Sequence, residues 1–289
     1  MENARTRDRV NKTIMYIILI IMAFIMLVPF AWMILTALKT NQEAISVSPF
    51  YIFPHNGWHW ETFGEVWKSY NFVLLYKNTL LMIFFRVVCA CLTATMAGYA
   101  FGRLKFPGKN FLFSLVLIQM MIPSTIFIIP QYLMVSGLGW LNTCAGLVFP
   151  GIVTAFGTYL LKTGYQGLPK DLEEAAGIDG CHIGQKFLRI MMPLTRSSMV
   201  SLGIFTALFA FKDLMWPMIV CTSVQTTTLA AGLAKAQGQY GSNYPQMMGA
   251  AVLAVIPMIV IYVIFQKQFV ERYRNIRRQT VIYVSIDMK

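Results

Sequence analysis

Ile14-Met-Tyr-Ile-Ile-Leu-Ile-Ile-Met-Ala-Phe-Ile-Met-Leu-Val-Pro-Phe-Ala-Trp-Met-Ile-Leu-Thr-Ala-Leu38 contains no charged side chain. A helix of about 20 mostly apolar residues crosses the ~30 Å hydrocarbon core of a bilayer, so this run is long enough to span a membrane. Five further runs follow: Thr79 to Phe101, Phe111 to Leu133, Cys144 to Leu161, Met199 to Val220 and Met247 to Phe265. The fourth is the shortest, and Gly146, Pro150, Gly151 and Gly157 blur its ends. Together the runs predict an all-α membrane protein with six transmembrane helices.

Composition supports that class. Hydrophobic residues make up 57% of the 289, and charged residues 12%, against roughly 25% in an ordinary soluble protein. Such a chain cannot clothe a water-facing surface, and it is too apolar for disorder. The net charge of +12 would suit nucleic acid only if basic residues were gathered on a solvent-facing groove. They lie instead in the gaps between apolar runs, so no nucleic-acid partner is expected.

Arg5, Arg7, Arg9 and Lys12 precede the first run in the manner of a secretion signal. That run is too long for a cleavable peptide and lacks a small-x-small site, so it reads as a retained span. With the amino terminus in the cytoplasm, eighteen of the 24 Lys and Arg fall on the cytoplasmic side, and the positive-inside rule then places both termini there. The organisation is a cytoplasmic tail over 1–13, a six-span domain over 14–265 with its cytoplasmic loop at 162–198, and a basic cytoplasmic tail over 266–289.

The five cysteines form no CxxC pair, and His55 and His59 flank Pro54, Asn56 and Gly57, which disfavour the helix a shared ligand pair would need. No metal site and no catalytic set is expected. No GxxxxGK[ST] stretch occurs, so the chain lacks that device for cradling nucleotide phosphates.

The longest cytoplasmic connection, Leu168-Pro-Lys-Asp-Leu-Glu-Glu-Ala-Ala-Gly-Ile-Asp-Gly-Cys-His-Ile-Gly-Gln-Lys-Phe-Leu-Arg-Ile-Met-Met-Pro193, is patterned as two short helices. Pro169 suits a first helical position, and Asp171, Glu173 and Glu174 then complement the helix dipole. Asp179-Gly180 breaks the pattern, with Asp179 able to cap a second helix. There Ile183, Phe187 and Ile190 repeat at i, i+4, i+7 and predict one apolar face. Pro193 ends it. Such a helix can lie in the headgroup layer or dock into a partner's groove.

Glu174-Ala175-Ala176, three residues, Gly180, nine residues, Ile190, two residues and Pro193 resemble the EAA motif of ATP-binding cassette importer permeases, with Met192 where leucine is usual. Within that superfamily the chain resembles the shorter, six-span member of the maltose-type carbohydrate permease pair. Asn78-Thr79-Leu80, Tyr99-Ala-Phe-Gly-Arg-Leu-Lys-Phe-Pro-Gly-Lys109, Met121-Ile-Pro123 and Gly238-Gln-Tyr-Gly241 extend the similarity over most of the chain. Two departures stand out. Phe211-Lys212-Asp213 replaces Trp-Asn-Asp/Glu before Trp216-Pro217, and the carboxyl tail lacks the short glycine-rich ending.

The resemblance implies a type I importer transmembrane domain in a bacterial cytoplasmic membrane. It implies a sugar or oligosaccharide as cargo and a second permease, a different chain, as companion. It further implies a dimer of cytoplasmic ATPases that holds ATP and Mg and receives the EAA-loop helix, and an extracytoplasmic solute-binding protein. Glu174, Ala175, Ala176, Asp179, Gly180, Ile183, Phe187, Ile190 and Pro193 would then couple to the ATPase. Gln237, Gly238, Gln239, Tyr240 and Gly241 fall in a loop, Thr226 to Tyr244, that would reach the binding protein. The chain itself would bind no cofactor and would be no enzyme.

Inside the spans, Arg86 and Lys212 each cost about 2.5 to 3.5 kcal/mol at mid-membrane, so they are expected to face protein or a water-filled cavity. Asp213 is the only carboxylate in any run. Neighbouring helical side chains diverge by about 100°, so Lys212 and Asp213 are not expected to pair with each other. Arg86, Lys212, Asp213 and Trp216 are candidates for the substrate pathway or for an inter-subunit contact. Gly98 and Gly102 predict close helix packing. The aromatic residues from Phe50 to Phe72 predict an interfacial belt, with sugar stacking or binding-protein docking as the other uses, and the basic tail predicts contact with anionic membrane lipid or with the ATPase. An ion- or proton-coupled secondary transporter is the alternative class, though it generally carries more ionisable groups in its spans.

Overall fold

The computed structural model describes residues 2–239 and 243–264. Every regular element among them is helical. Three helices are each long and apolar enough to cross a membrane: Asn11–Ala37, Phe72–Arg103 and Tyr244–Ile264. The chain divides into two compact units, residues 1–72 with 233–257, and residues 73–232 with the segment from 258.

In the first unit, the helix Glu2–Ala37 exposes its apolar side chains from Ile14 to Phe30. Among its described side chains, the first buried ones come at its carboxyl end, where Thr36 and Ala37 are buried together with the following Leu38 and Lys39. The chain then turns into Asn41–Ile45, whose start is a capping box: Glu43 N donates to Thr40 Oγ1, and Thr40 N donates to the Glu43 carboxylate. Glu43 also gathers the following loop, because His55 N and Asn56 N donate to its Oε1 at 2.8 and 2.6 Å. Lys39 completes this polar centre by donating to Tyr51 O at 2.7 Å while standing 4.4 Å from the centre of the Trp32 ring. Around it the loop aromatics stack in pairs, Trp32 on Phe50 and Trp58 on Trp60.

Glu43 is only 4% exposed, and burial by itself would push its carboxyl up. The donated N–H groups of Thr40, Asn56 and His55, with the Thr40 hydroxyl, outweigh that and hold it below the ordinary value of 4.5. A depressed carboxyl contributes stability that is complete above the ordinary value and lost as pH falls through the depressed one. Glu43→Gln, which keeps the shape and removes the charge, is therefore expected to cost about 1–3 kcal/mol near neutrality. Against wild type, limited proteolysis between residues 46 and 58 checks this: faster cleavage of the variant at pH 7, and a difference that shrinks as pH falls through the depressed Glu43 value, are the expected results.

In the second unit, Phe72–Arg103 is the central element. Near its middle it packs Met82 and Ile83 into a cluster with Val135, Leu147, Ala210, Trp216 and Val220. Toward its carboxyl end it packs Ala94 and Tyr99 with Leu161, Tyr165, Met191 and Leu202. Close approach of Phe72–Arg103 and Ala155–Gln166 depends on two glycines. A Cβ at Gly98 would lie 2.6 Å from Leu161 Cβ and 2.9 Å from backbone, and one at Gly102 would lie 3.1 Å from Tyr165 Cβ. The packing expected of this GxxxG pair is therefore present. Gly98→Val should force the helices apart and cost about 1–3 kcal/mol, read as a lowered melting temperature of the detergent-purified protein.

The runs between these helices correct the expectation of continuous spans. The third breaks at Ile122-Pro123, and Lys109–Met121 meets Ser124–Gly137 at 102°. Proline lacks the N–H that would continue the ladder and pushes its predecessor to extended backbone, here φ −85° and ψ 128° at Ile122. The fourth bends by 50° between Cys144–Gly151 and Ala155–Gln166. The fifth stops at Lys212, becomes extended at Asp213 and resumes as Met215–Val220.

Candidate functional site

The loop expected on the cytoplasmic side begins where Ala155–Gln166 ends. Its first helix, Asp171–Ile178, carries Asp171, Glu173 and Glu174 in the opening turn. Glu174 and Ala175 are exposed, whereas Ala176 is buried. The helix closes in a Schellman motif: Cys181 N donates to Ala176 O and Gly180 N to Gly177 O. Gly180 takes φ 75° there, a conformation open to glycine at little cost.

Asp179 plays a different part from the one the pattern suggested, because it is the C-cap of the first helix. The second is capped by His182, whose Nδ1 accepts from Gly184 N and Gln185 N while His182 N donates to the Gln185 side chain. A His at this cap escaped the sequence reading, although Gln185 three residues on is the partner a capping box uses.

The apolar face drawn through Ile183, Phe187 and Ile190 splits in two. Ile183–Gln185 is α-helical, but Lys186–Met191 is a π turn. With i to i+5 bonding, positions counted at 3.6 per turn fall out of register. Phe187 and Ile190 consequently pack inward beside Tyr99, Tyr165 and Met191, with the Phe187 and Tyr99 rings 5.1 Å apart. Ile183 stays outside at 59% exposed, joined by Ile178 at 89% and by Leu188. Exposed Pro193 lies in the last turn, Met192–Leu194, before a 72° bend into Arg196–Lys212. The exposed aliphatic side chains of this loop thus include Ile178 and Ile183, which flank the Gly180 turn.

The second constellation lies in the spans. Arg86 is 6% exposed and its Nη1 donates to Asp213 Oδ2 at 2.7 Å. Its Nε and Nη2 donate to Leu147 O at 3.0 and 2.6 Å. Gly151 makes room for this, since a Cβ there would fall 2.7 Å from Arg86 Cγ. Asp213 Oδ1 also accepts from Trp216 N, which starts the helix after the break, and Trp216 Nε1 donates to Gly146 O at 2.9 Å. Arg86 therefore ties the second span to the interruptions of the fourth and fifth. Lys212 is exposed and takes no part in this ion pair.

The stretch expected to be a mobile outer loop contains an alanine-rich helix, Leu229–Gln239. Alanine and leucine are strong helix formers, which accounts for the difference. Its start is held by Asn78 and Thr79: Asn78 Nδ2 donates to Gln225 O and Thr227 O, and Leu229 N donates to Thr79 Oγ1. Gln237, Gly238 and Gln239 form the end of the helix, while Tyr240 and Gly241 lie outside the described residues, as does the basic tail after Ile264.

Residues 94–275 match the family model described as binding-protein-dependent transport system inner membrane component. An arabinooligosaccharides transport system permease protein of Halalkalibacterium halodurans is 34% identical over 221 residues, 76% of this chain and 74% of that protein. An sn-glycerol-3-phosphate transport system permease protein of Salmonella typhi is 30% identical over 205 residues, 70% of this chain and 73% of the relative. A crystal structure of a bacterial ABC transporter involved in the import of the acidic polysaccharide alginate aligns with a TM-score of 0.74 and 20% identity. It covers 90% of this chain and 96% of that one, and it establishes the common fold.

Proposed function

Because this chain belongs to the family of binding-protein-dependent transport system inner membrane components, we propose that it lines, together with a second permease, the path of an ATP-driven importer for neutral sugars or oligosaccharides. It is an all-α, multi-pass permease subunit of the cytoplasmic membrane with the type I importer fold. The observation that carries the coupling role is the exposed Ile178 and Ile183 tip beside the Gly180 turn. Two aliphatic side chains held out by a Schellman turn suit an apolar groove on a cytoplasmic ATPase, where each would contribute ~1.5–3 kcal/mol before ordering costs. That ATPase, present as a dimer, supplies ATP and Mg. A solute-binding protein delivers the sugar outside.

An uncharged cargo is favoured by the state of Arg86. Three of its five N–H groups are donated to Asp213 and Leu147 O, and at 6% exposure the guanidinium is turned into the fold and toward its own counter-ion.

Reconstitution of the complete complex in liposomes tests the reading. Uptake of a labelled oligosaccharide that requires both internal ATP and the binding protein is expected. Uptake that persists without ATP and collapses with a proton uncoupler would place the chain among secondary transporters, and preference for glycerol phosphate over every sugar would overturn the cargo class.

A further inference from the structure

The last turn of Phe72–Arg103 carries polar groups that the roles above leave unused. Arg103 ends that helix with a side chain 5% exposed, and its Nη2 donates to Leu168 O at the entry to the cytoplasmic loop. Its Nε is buried without a hydrogen-bond acceptor. The carboxylate of Glu173 stands nearby, with Oε2 3.6 Å from that nitrogen. One turn back, the Tyr99 side chain stands beside Glu173 and packs against Phe187. A single turn of the second span therefore holds both halves of the loop, the first through Glu173 and the second through Phe187. Gly98 and Gly102 seat that turn directly against residues 161–165, so movement imposed on it passes to the fourth span as well.

We propose that Arg103 and Tyr99 are positioning residues that carry displacement of the cytoplasmic loop into the second and fourth spans, with Glu173 as the movable contact. The separation of 3.6 Å is too long for a hydrogen bond, and an approach of about 0.7 Å would convert it into a charge-assisted one. A push on the Ile178 and Ile183 tip is delivered to the helix that bears Glu173, and closing the gap locks loop and span into one body. Removing the contact leaves the ATPase seated but lets the loop move without the spans.

The inference rests on the ATPase-docking reading of the loop, and two separate readouts keep their failures apart. In the reconstituted complex, Glu173→Gln and Tyr99→Phe remove the charge and the hydroxyl while preserving size and ring packing. Arg103→Gln is compared with them, and the Glu173→Gln and Arg103→Gln double variant completes a cycle. Recovery of the ATPase on purification measures docking, and ATP hydrolysed per sugar imported measures transmission. The expected result is wild-type ATPase recovery with a ratio raised about three- to tenfold in each single variant, and no further rise in the double variant. An unchanged ratio in Glu173→Gln overturns the proposal, as do additive effects in the cycle. If Arg103→Gln does not fold, Glu173→Gln and Tyr99→Phe decide alone. Failure of the wild-type chain to recover an ATPase would count against the docking reading itself.

Discussion

Arg86→Met is expected to destabilise the protein by about 3–5 kcal/mol, the usual cost of removing one partner from a buried ion pair. Asp213 would be left partly buried with its charge uncompensated, and Leu147 O would lose both donors. Asp213→Asn should cost less. Arg86 keeps its bonds to Leu147 O, and the amide oxygen can still accept from Arg86 or from Trp216 N. Uptake is nevertheless expected to fall in this variant with membrane insertion intact, because the joint between the broken fourth and fifth spans is weakened. Arg86→Met combined with Asp213→Leu should recover part of the loss, with a coupling of about 0.5–3 kcal/mol. Melting temperatures in detergent check all three, and a wild-type melting temperature for Arg86→Met would show that the pair holds nothing together.

The other large effect separates docking from folding within one loop. Ile183→Asp puts a charge on an exposed tip, so the isolated permease should remain within about 0.5 kcal/mol of wild type. Desolvating that carboxylate in an apolar groove would cost several kcal/mol, and each 1.4 kcal/mol is about tenfold in affinity. The ATPase should consequently be lost on purification and ATP-driven uptake abolished. Phe187→Asp acts on the permease itself, because Phe187 packs against Tyr99 in the cytoplasmic core cluster. Loss of about 3–5 kcal/mol of stability is expected there, before any question of docking arises. Retention of the ATPase by Ile183→Asp, or normal stability of Phe187→Asp, would reverse the assignment of outward and inward faces.

The membrane class and the family could be read from residues in order along the chain. Apolar length is a one-dimensional property matched to bilayer thickness, and the bias of Lys and Arg between loops is equally local. Gly180 was recognisable because a helix-ending glycine with left-handed backbone depends on its immediate neighbours. Pro123 was counted inside a continuous apolar run, because apolar length does not register the missing N–H that breaks the helix there, and the 102° bend appears only in the folded chain.

Three other features exist only in the folded chain. Arg86 and Asp213 are 127 residues apart in sequence, and each looked like an isolated charge until helix packing brought them together. Phe187 and Ile190 fell on an outward face by α-helical counting, yet the π turn at Lys186–Met191 swings them inward, where Tyr99 and Tyr165 accept them. Glu173 seemed to serve the helix dipole alone, and its approach to Arg103 arises because Gly98 and Gly102 let two helices come close enough to set the loop against the second span. Periodicity and charge count describe neighbours along a chain, whereas these pairings depend on distances that packing alone decides.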